Sequence, residues 1–340
     1  MDKALLSRTA AAMVARGKGV LAADESSGTC ETRFKTVNVA CTEENRRTYR
    51  GLLFGTPGVE QFISGVILFD ETIRQKAGDG TPFPQYLAKK GIIPGIKVDK
   101  GLVEIAFSPG EKVTEGLDGL SKRLDEYFQM GARFAKWRAV ITIGEAIPTH
   151  TCLYANAHAL ARYAAACQAA SIVPMIEPEV LLNGSHTNER GEEVTEAALR
   201  ATYAAMAAYN VSFEHLILKT SMVVSGKDCP RQAGVDEVAE RTVRVLKRAV
   251  PAAQPGVVFL SGGQSDVAAT AHLNAMAAMK GLPWPLTFSY SRALQNPALA
   301  AWRGQPGNVG AAQQAFHHRA QMNGLAAQGK WKHELEKQAA

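Results

Sequence analysis

Four charged residues lie inside short apolar segments of the chain, where charged side chains are uncommon. They are Lys97 in IIPGIKVD (92–99), Lys136 in FAKWRAVI (134–141), Glu177 in IVPMIEPE (172–179) and Lys219 in HLILKTSM (215–222). Lysine and glutamate are almost never buried without a partner, and buried ion pairs often destabilise a protein relative to apolar packing. We therefore interpret these residues as a functional cluster rather than a structural one.

Lysine is the candidate nucleophile of this cluster. A lysine amine attacks a carbonyl only when it is neutral, and both desolvation and a neighbouring cation lower the pKa of a lysine. Lys219 has the most apolar context of the three lysines, with an apolar tripeptide before it and Met222-Val223-Val224 after it. It is the predicted nucleophile, and Lys136 is the predicted supporting cation. The resulting Schiff base stabilises a carbanion on the adjacent carbon, while carboxylates such as Glu177 and Asp24 move protons.

A barrel of alternating strands and helices would bring these residues together. Short β-branched runs alternate with longer amphipathic stretches, a pattern typical of βαβ units around a parallel sheet. The predicted strands are 19–24, 62–70, 92–99, 134–141, 172–179, 215–222, 257–262 and 286–292. The predicted helices are 43–54, 117–130, 152–170, 193–209, 232–250, 265–280 and 308–328. Eight such units close into a (β/α)8 TIM barrel, which gathers the carboxyl ends of its strands at one face.

An open, doubly wound sheet is the alternative arrangement of the same units. Such folds usually carry a glycine-rich dinucleotide turn after the first strand, whereas Glu25-Ser26-Ser27-Gly28 follows the first strand here. We therefore favour the barrel. The sequence shows no low-complexity linker and no internal repeat, so we expect a single domain over residues 1–340 with a short C-terminal tail from about residue 329.

Polar, charged or glycine residues occur at the carboxyl end of every predicted strand. In chain order they are Asp24, Asp70 with Glu71, Lys97, Lys136, Glu177, Lys219, Ser261 with Gly262 and Gly263, and Arg292. Residues two apart in a strand share a face, so Arg138 accompanies Lys136 and Glu179 accompanies Glu177. Asp70 and Glu71 are equally consistent with the start of a solvated loop.

The loops after the seventh and eighth strands indicate a phosphate site, because barrels commonly hold phosphate there. They read LSGGQS (260–265) and FSYSR (288–292). Glycines allow backbone N–H groups to approach an anion at a helix start, and Arg292 adds charge-assisted hydrogen bonds.

Composition argues against several other classes of protein. The net charge is +6, but the basic residues are scattered without interleaved aromatic residues, so we expect no nucleic-acid partner. The charge suits an anionic small substrate or an ordinary basic surface. No apolar run reaches the roughly 18 residues of a membrane span, and the N-terminus lacks the apolar core of a secretory signal. Five cysteines without a CxxC motif indicate reduced thiols in an intracellular protein.

A metal centre is not expected. The eight histidines show no spacing typical of metal ligands; they are residues 150, 158, 186, 215, 272, 317, 318 and 333. The sequence therefore predicts an enzyme without metal or other cofactor.

Eight stretches of the chain match one known family in the same order over nearly the whole length. They are LAADESSGT (21–29), TEENRRTYRGLLF (42–54), GIKVDKG (95–101), GLDGLSKR (116–123), FAKWR (134–138), IVPMIEPE (172–179), FLSGGQS (259–265) and LTFSYSRALQ (286–295). In these stretches the chain resembles the class I fructose-bisphosphate aldolases, the metal-free Schiff-base enzymes of glycolysis.

The resemblance implies a role for each matching position. Lys219 forms the Schiff base with the substrate ketone, and Glu177 is the main general acid and base, with Glu179 beside it. Asp24 lies near the hydroxyl that loses its proton as the carbon–carbon bond breaks, and Lys136 supports the same centre. The phosphate nearer the Schiff base is held by Ser261, Gly262, Gly263, Ser289 and Arg292. The rest of the site and the second phosphate region are lined by Ser26, Thr29, Arg33, Lys97 and Arg138.

The activity implied by the resemblance is reversible cleavage of fructose 1,6-bisphosphate to dihydroxyacetone phosphate and glyceraldehyde 3-phosphate, by a cytoplasmic homotetramer. Other lysine barrel enzymes, such as transaldolases and keto-acid lyases, have no reason to carry cations at both ends of the site, as Arg292 and Lys97 do. A metal-dependent aldolase would need clustered histidines. An intact catalytic set argues against a purely non-catalytic binding role. Another Schiff-base barrel aldolase that acts on a sugar phosphate is the alternative.

Three positions depart from the family pattern. Thr220 and Ser221 follow the Schiff-base lysine, where the family often has Pro-Asn. Ser291 replaces the usual glycine before the phosphate arginine, and since serine adopts positive φ less readily, we expect a tighter or tilted loop. The chain ends in Gln338-Ala339-Ala340 rather than in the terminal tyrosine of animal members, so proton exchange is expected to be slower or to use other groups. These changes bear on the preference for the bisphosphate over fructose 1-phosphate.

Overall fold

The apolar, β-branched runs of the sequence form strands that are buried on both faces, as is usual in a parallel sheet covered by helices. The computed structural model describes residues 1–339. Its strands are β1 (Gly19–Ala23), β2 (Ile63–Leu68), β3 (Ile93–Lys97), β4 (Gly101–Glu104), β5 (Lys112–Glu115), β6 (Phe134–Ile141), β7 (Val173–Val180), β8 (Ile217–Thr220), β9 (Gly256–Phe259) and β10 (Leu286–Tyr290).

Eight of these strands close into a parallel barrel, in the order β1-β2-β3-β6-β7-β8-β9-β10. The barrel closes where Val20 of β1 lies opposite Ser289 of β10. The pairing of β3 with β6 sets Lys97 opposite Lys136, which aligns two of the charged residues across neighbouring strands. The strands β4 and β5 form a separate antiparallel hairpin between β3 and the next helix.

Twelve α-helices lie in the described part of the chain, and most of them surround the barrel. They are α1 (Lys3–Met13), α2 (Ser27–Lys35), α3 (Glu43–Gly55), α4 (Asp70–Arg74), α5 (Phe83–Lys89), α6 (Leu120–Gln129), α7 (His150–Ala169), α8 (Asn188–Ala208), α9 (Val235–Ala249), α10 (Asp266–Ala277), α11 (Arg292–Trp302) and α12 (Val309–Ala326). Several begin at a side chain that accepts a backbone N–H bond, such as Thr42 before α3 and Ser265 before α10.

Apolar side chains fill the amino end of the barrel. Leu6 and Met13 of α1 pack against Val20 and Ile217 in one buried cluster. The helix comes so close to the strands that a Cβ atom on Gly256 would lie 2.6 Å from the Cγ1 atom of Val14. Since α1 and these side chains occupy the amino end, the polar residues of the strands meet at the carboxyl end.

The predicted fold is confirmed. All eight predicted strands are present, with ends that differ by a few residues. The helices α1, α2, α4, α5 and α11 and the hairpin β4–β5 were not predicted. Three of the helices have nine residues or fewer, and α11 contains Pro297, which obscures its pattern. The hairpin strands are four residues each and β4 is largely exposed, so they lack a buried run.

Candidate active site

A cleft of about 1410 Å³ opens at the carboxyl end of the barrel. Its walls include every predicted site residue except Gly263. Gly263 adopts a φ of +81°, and a Cβ atom there would lie 2.8 Å from the side chain of Leu182. Gly263 therefore shapes the loop after β9 and does not itself line the cleft.

Four charged groups form a continuous chain at the floor of this cleft. The Lys219 Nζ atom lies 2.9 Å from Oε1 of Glu177, and the Lys136 Nζ atom lies 3.0 Å from Oε2 of the same carboxylate. The Lys136 Nζ atom also lies 2.8 Å from Oδ2 of Asp24. All four side chains are buried, at 10% exposure or less. Two carboxylates and two amines thus alternate over a short distance with little solvent between them.

Strand geometry accounts for this arrangement. Lys136 and Arg138 of β6 project into the barrel, as do Glu177 and Glu179 of β7, because residues two apart share a face. The register sets Arg138 opposite Glu177. Lys219 lies in β8, which is buried at every position. The predicted parity of these strands is confirmed.

Mutual charge fixes the ionisation of three of these groups. Burial raises the pKa of Asp24, but the charges of Lys136 and Lys219 outweigh it and hold that pKa well below its ordinary value of 3.8. Burial likewise opposes ionisation of Glu177, and the same two lysines lower its pKa. Burial lowers the pKa of Lys136, yet Asp24 and Glu177 raise it well above its ordinary value. At neutral pH the site therefore holds two carboxylates and the Lys136 ammonium.

Two further ion pairs flank this chain. Arg138 Nε donates to Oε2 of Glu179. The Lys97 Nζ atom lies 2.7 Å from Oδ1 of Asp99, a residue that sequence reasoning did not select. Oδ2 of Asp99 also accepts the backbone N–H of Arg138 at 3.4 Å. Asp99 therefore holds the Lys97 ammonium and contacts the backbone of Arg138, while Glu179 holds the Arg138 guanidinium.

Hydroxyl groups, a glycine and a guanidinium meet at the loops after β9 and β10, which were predicted to bind phosphate. The Ser261 Oγ atom accepts the N–H of Ala293, in the first turn of α11, at 3.4 Å. The Ser289 hydroxyl is buried without a hydrogen-bond partner. Arg292 has no acidic partner within 4 Å among residues 1–339, and partial burial and the charge of Arg33 lower its pKa. A Cβ atom on Gly262 would lie 3.4 Å from Nη2 of Arg292, so the loop passes close to that group.

Ser291 lies at a negative φ, and the tighter or tilted loop expected from this serine stays a prediction. Ser291 has φ −107° and ψ −78°, so no positive φ is required there. Its hydroxyl instead donates to Oε1 of Glu25 at 2.6 Å and accepts from Nη1 of Arg33 at 2.9 Å. At the other two unusual positions, the Thr220 hydroxyl is buried without a partner, and the Ser221 hydroxyl donates to the carbonyl of Val180 at 2.9 Å.

Sequence reasoning missed the buried acid Glu25. Its carboxylate pairs with Nη2 of Arg50 at 2.6 Å and accepts a hydrogen bond from Nε2 of Gln295 at 2.9 Å. It also accepts hydrogen bonds from Ser291 and Arg33. Its position directly after Asp24 was the available signal, but its partners come from distant segments of the chain.

The remaining predicted residues lie at the rim of the cleft. Ser26 begins α2, and its hydroxyl lies 3.2 Å from that of Thr29. Asp70 lines the cleft, where it accepts the Tyr127 hydroxyl at 2.8 Å and pairs with Arg74 at 3.0 Å. Glu71 lies outside the cleft and pairs with Arg46 at 2.5 Å, so of these two acids only Asp70 borders the site.

The C-terminal segment docks beside the barrel. The backbone N–H of Trp331 donates to Oδ1 of Asn274 at 2.9 Å, and Glu336 pairs with Arg319 of α12 at 2.5 Å. The last residue, Ala340, lies outside the described residues. Within residues 1–339, no group of three His, Cys, Asp or Glu side chains is arranged to hold a metal ion. No helix in the same range is long and apolar enough to cross a membrane.

The closed barrel, with lysines and carboxylates at its carboxyl end and a phosphate-type loop beside them, is typical of lyases that act on sugar phosphates through a lysine. The family model for class-I fructose-bisphosphate aldolase matches residues 5–340. A probable class 1 fructose-bisphosphate aldolase of Xanthomonas campestris pv. campestris is 60% identical, over 96% of this chain and 98% of that protein. The fructose-bisphosphate aldolase of Dictyostelium discoideum is 51% identical, over 95% and 91%.

A solved structure agrees with these relatives. The fructose-bisphosphate aldolase of Plasmodium falciparum, determined in complex with TRAP and a small-molecule inhibitor, has a TM-score of 0.95 and 47% identity, over 97% of this chain and 95% of that one. The chain belongs to the class I fructose-bisphosphate aldolase family and is a lyase. The resemblance seen in the sequence is thereby confirmed.

Proposed function

We propose that this protein cleaves fructose 1,6-bisphosphate reversibly to dihydroxyacetone phosphate and glyceraldehyde 3-phosphate, in glycolysis and gluconeogenesis, through a Schiff base on Lys219. The observation that carries the proposal is the buried chain Lys219–Glu177–Lys136–Asp24, with contacts of 2.8 to 3.0 Å. It brings an amine, a stable cation and two carboxylates to one point of the cleft.

The amine and the carboxylates divide the covalent steps. The Lys219 nitrogen adds to the ketone carbon C2, and loss of water leaves an iminium. Glu177, 2.9 Å from the Lys219 Nζ atom, accepts the protons that this nitrogen releases and returns them in turn to the C2 oxygen, which leaves as water. Asp24 takes the proton of the C4 hydroxyl, the C3–C4 bond breaks, and its electrons form an enamine with the iminium. Lys136 stabilises the carboxylate form of both acids.

The second half of the reaction returns the enzyme to its starting state. After glyceraldehyde 3-phosphate leaves, C3 of the enamine gains a proton, which balances the proton that Asp24 accepted and now releases. Water then hydrolyses the iminium to release dihydroxyacetone phosphate. Glu179 lies two residues after Glu177 on the same face of β7, and its carboxylate is held by Arg138. It therefore places a second carboxylate beside Glu177.

The two phosphates of the substrate fit the two walls of the cleft. Ser261, Gly262, Ser289 and Arg292 surround the position of the C1 phosphate, where the unpartnered Ser289 hydroxyl is available to donate, and Gly263 shapes the loop. On the other side of the cleft, Lys97 and Arg138 provide positive charge, and Ser26 and Thr29 provide hydroxyl groups at the start of α2. Cations at both ends support a preference for the bisphosphate over fructose 1-phosphate.

A cleavage assay tests this function directly. The purified protein should cleave fructose 1,6-bisphosphate with a higher kcat/KM than fructose 1-phosphate, and EDTA should leave the rate unchanged. Loss of activity in EDTA that zinc restores would contradict the lysine mechanism. Cleavage of another sugar phosphate with a higher kcat/KM than the bisphosphate would favour the alternative Schiff-base aldolase.

Assembly, location and domain organisation belong to the same proposal. We propose a homotetramer, a cytoplasmic location and a single barrel domain over the whole chain with a C-terminal tail from about residue 329. Relatives named as cytosolic aldolases, such as that of Arabidopsis thaliana at 51% identity, support the location. Light scattering of the purified protein tests the assembly: a mass near four times 36.5 kDa is expected, and a monomeric mass would contradict it.

A further inference from the structure

The hydroxyl group of Ser291 uses all of its hydrogen-bonding capacity inside the protein. A serine hydroxyl has one donor and two acceptor positions. The Ser291 Oγ atom donates to Oε1 of Glu25 at 2.6 Å, and it accepts from Nη1 of Arg33 at 2.9 Å and from Nε2 of Gln295 at 3.2 Å. Ser291 is thus bonded to three separate side chains at the first turn of α11.

These three bonds join segments that carry site residues. Glu25 follows Asp24 at the end of β1, and it is tied by Arg50 Nη2 at 2.6 Å to α3. Arg33 belongs to α2, and its side chain is 21% exposed to the cleft. Ser291 directly precedes Arg292. A shift of any of these segments would stretch a bond to the Ser291 hydroxyl.

Arg33 and Arg292 line the same cleft, and Nη1 of Arg33 bonds the side chain of the residue directly before Arg292 at 2.9 Å. Two like charges beside one cleft repel each other unless an anion lies between them. The carboxylate of Glu25 neutralises the charge of Arg33, because Nη1 of Arg33 donates hydrogen bonds both to Glu25 and to Ser291. Both guanidinium groups therefore border the cleft in which the C1 phosphate is proposed to bind.

We propose that Ser291 is a positioning residue for phosphate recognition: through Glu25 and Arg33 it fixes a second guanidinium beside Arg292, so that both contact the C1 phosphate of the substrate. This assigns Arg33 to the C1 phosphate, whereas the family resemblance groups it with the second phosphate region. This inference rests on the proposed function. Ser291 touches no reacting atom, so its removal should weaken phosphate binding and leave the chemical steps largely intact. Threonine retains the hydroxyl and is compatible with φ −107°, so it should retain the function.

The experiment compares Ser291→Ala, Ser291→Gly and Ser291→Thr with the parent protein, using fructose 1,6-bisphosphate, fructose 1-phosphate and inorganic phosphate as a competitive inhibitor. Loss of one or two bonds to charged groups predicts that KM for both sugars and Ki for phosphate rise about 3- to 10-fold in the Ala and Gly variants. We expect kcat to change by less than about twofold, and Thr to restore the parent values. Because fructose 1-phosphate carries only the C1 phosphate, both sugars should be affected equally.

Ser225→Ala is the matched control. The Ser225 hydroxyl is buried too, and it accepts the backbone N–H of Ala233, just before α9, at 3.2 Å. Ser225 does not line the cleft. It should leave KM and Ki unchanged, and thermal unfolding of every variant separates lost binding from lost folding.

Three results would overturn the proposal: unchanged KM and Ki in folded Ser291→Ala, a fall in kcat with unchanged KM, or an effect on the bisphosphate alone. Failure of the proposed function is distinguishable, because the parent protein itself would then not cleave either sugar.

Discussion

Replacement of Glu177 by glutamine tests how the buried charges depend on one another. The Glu177 carboxylate lies 2.9 Å from the Lys219 Nζ atom and 3.0 Å from the Lys136 Nζ atom. Glu177→Gln keeps the shape of the side chain and removes its charge. The two amines then remain close together, and only Asp24 is left to balance Lys136.

The size of the effect follows from these distances. At 3 Å and an effective dielectric constant of about 20, each ion pair contributes about 5 kcal/mol of attraction before the cost of desolvation. Removal of one partner from a buried pair typically costs about 3–5 kcal/mol, and we expect that decrease in the free energy of unfolding. Loss of the general acid and base should also lower kcat by about 10²- to 10⁴-fold.

Urea unfolding and the cleavage assay measure the two effects. Glu193→Gln is the control, because Glu193 is exposed and pairs with Arg190 at the surface; it should change stability by about 0.5 kcal/mol or less. A loss below about 1 kcal/mol in folded Glu177→Gln, or a kcat equal to that of the parent protein, would refute this reasoning.

Two other predictions follow from the same structure. The folded-state pKa values of Asp24 and Glu177 lie below their ordinary values of 3.8 and 4.5. The contribution of these carboxylates to stability is therefore complete above about pH 5 and is lost as the pH falls through the folded-state pKa values. Urea unfolding should show a smaller acid-induced loss of stability in Asp24→Asn than in the parent protein, and an equal loss would contradict this. Gly256→Val should lower the free energy of unfolding by about 1–3 kcal/mol, because its Cβ atom would lie 2.6 Å from Val14, and an unchanged unfolding midpoint would show that α1 can move away.

The site could be predicted from sequence where strand periodicity alone determines position. Lys136 and Arg138, and Glu177 and Glu179, lie on the lumen side because alternate residues of a strand share a face. The closure of the barrel then brings the ends of all strands together, so the predicted residues meet without any knowledge of loop structure.

Contacts that depend on loops and on barrel closure could not be predicted in this way. Ser291 and Glu25 are 266 residues apart in the chain, and they meet only because β1 pairs with β10. The backbone angles of Ser291 depend on how α11 begins, and the inward or outward direction of Gly263 depends on the turn after β9. Neither is encoded in a periodic pattern of residues.

The central claim is that Lys219 forms the Schiff base, and the most direct measurement is to trap it. Borohydride reduction of the protein with dihydroxyacetone phosphate, followed by peptide mass spectrometry, should place one covalent adduct on Lys219. The variant Lys219→Arg should give none, whereas Glu177→Gln should still bind substrate at the same lysine when it is folded. An adduct on Lys136, or no adduct in the active parent protein, would contradict the account.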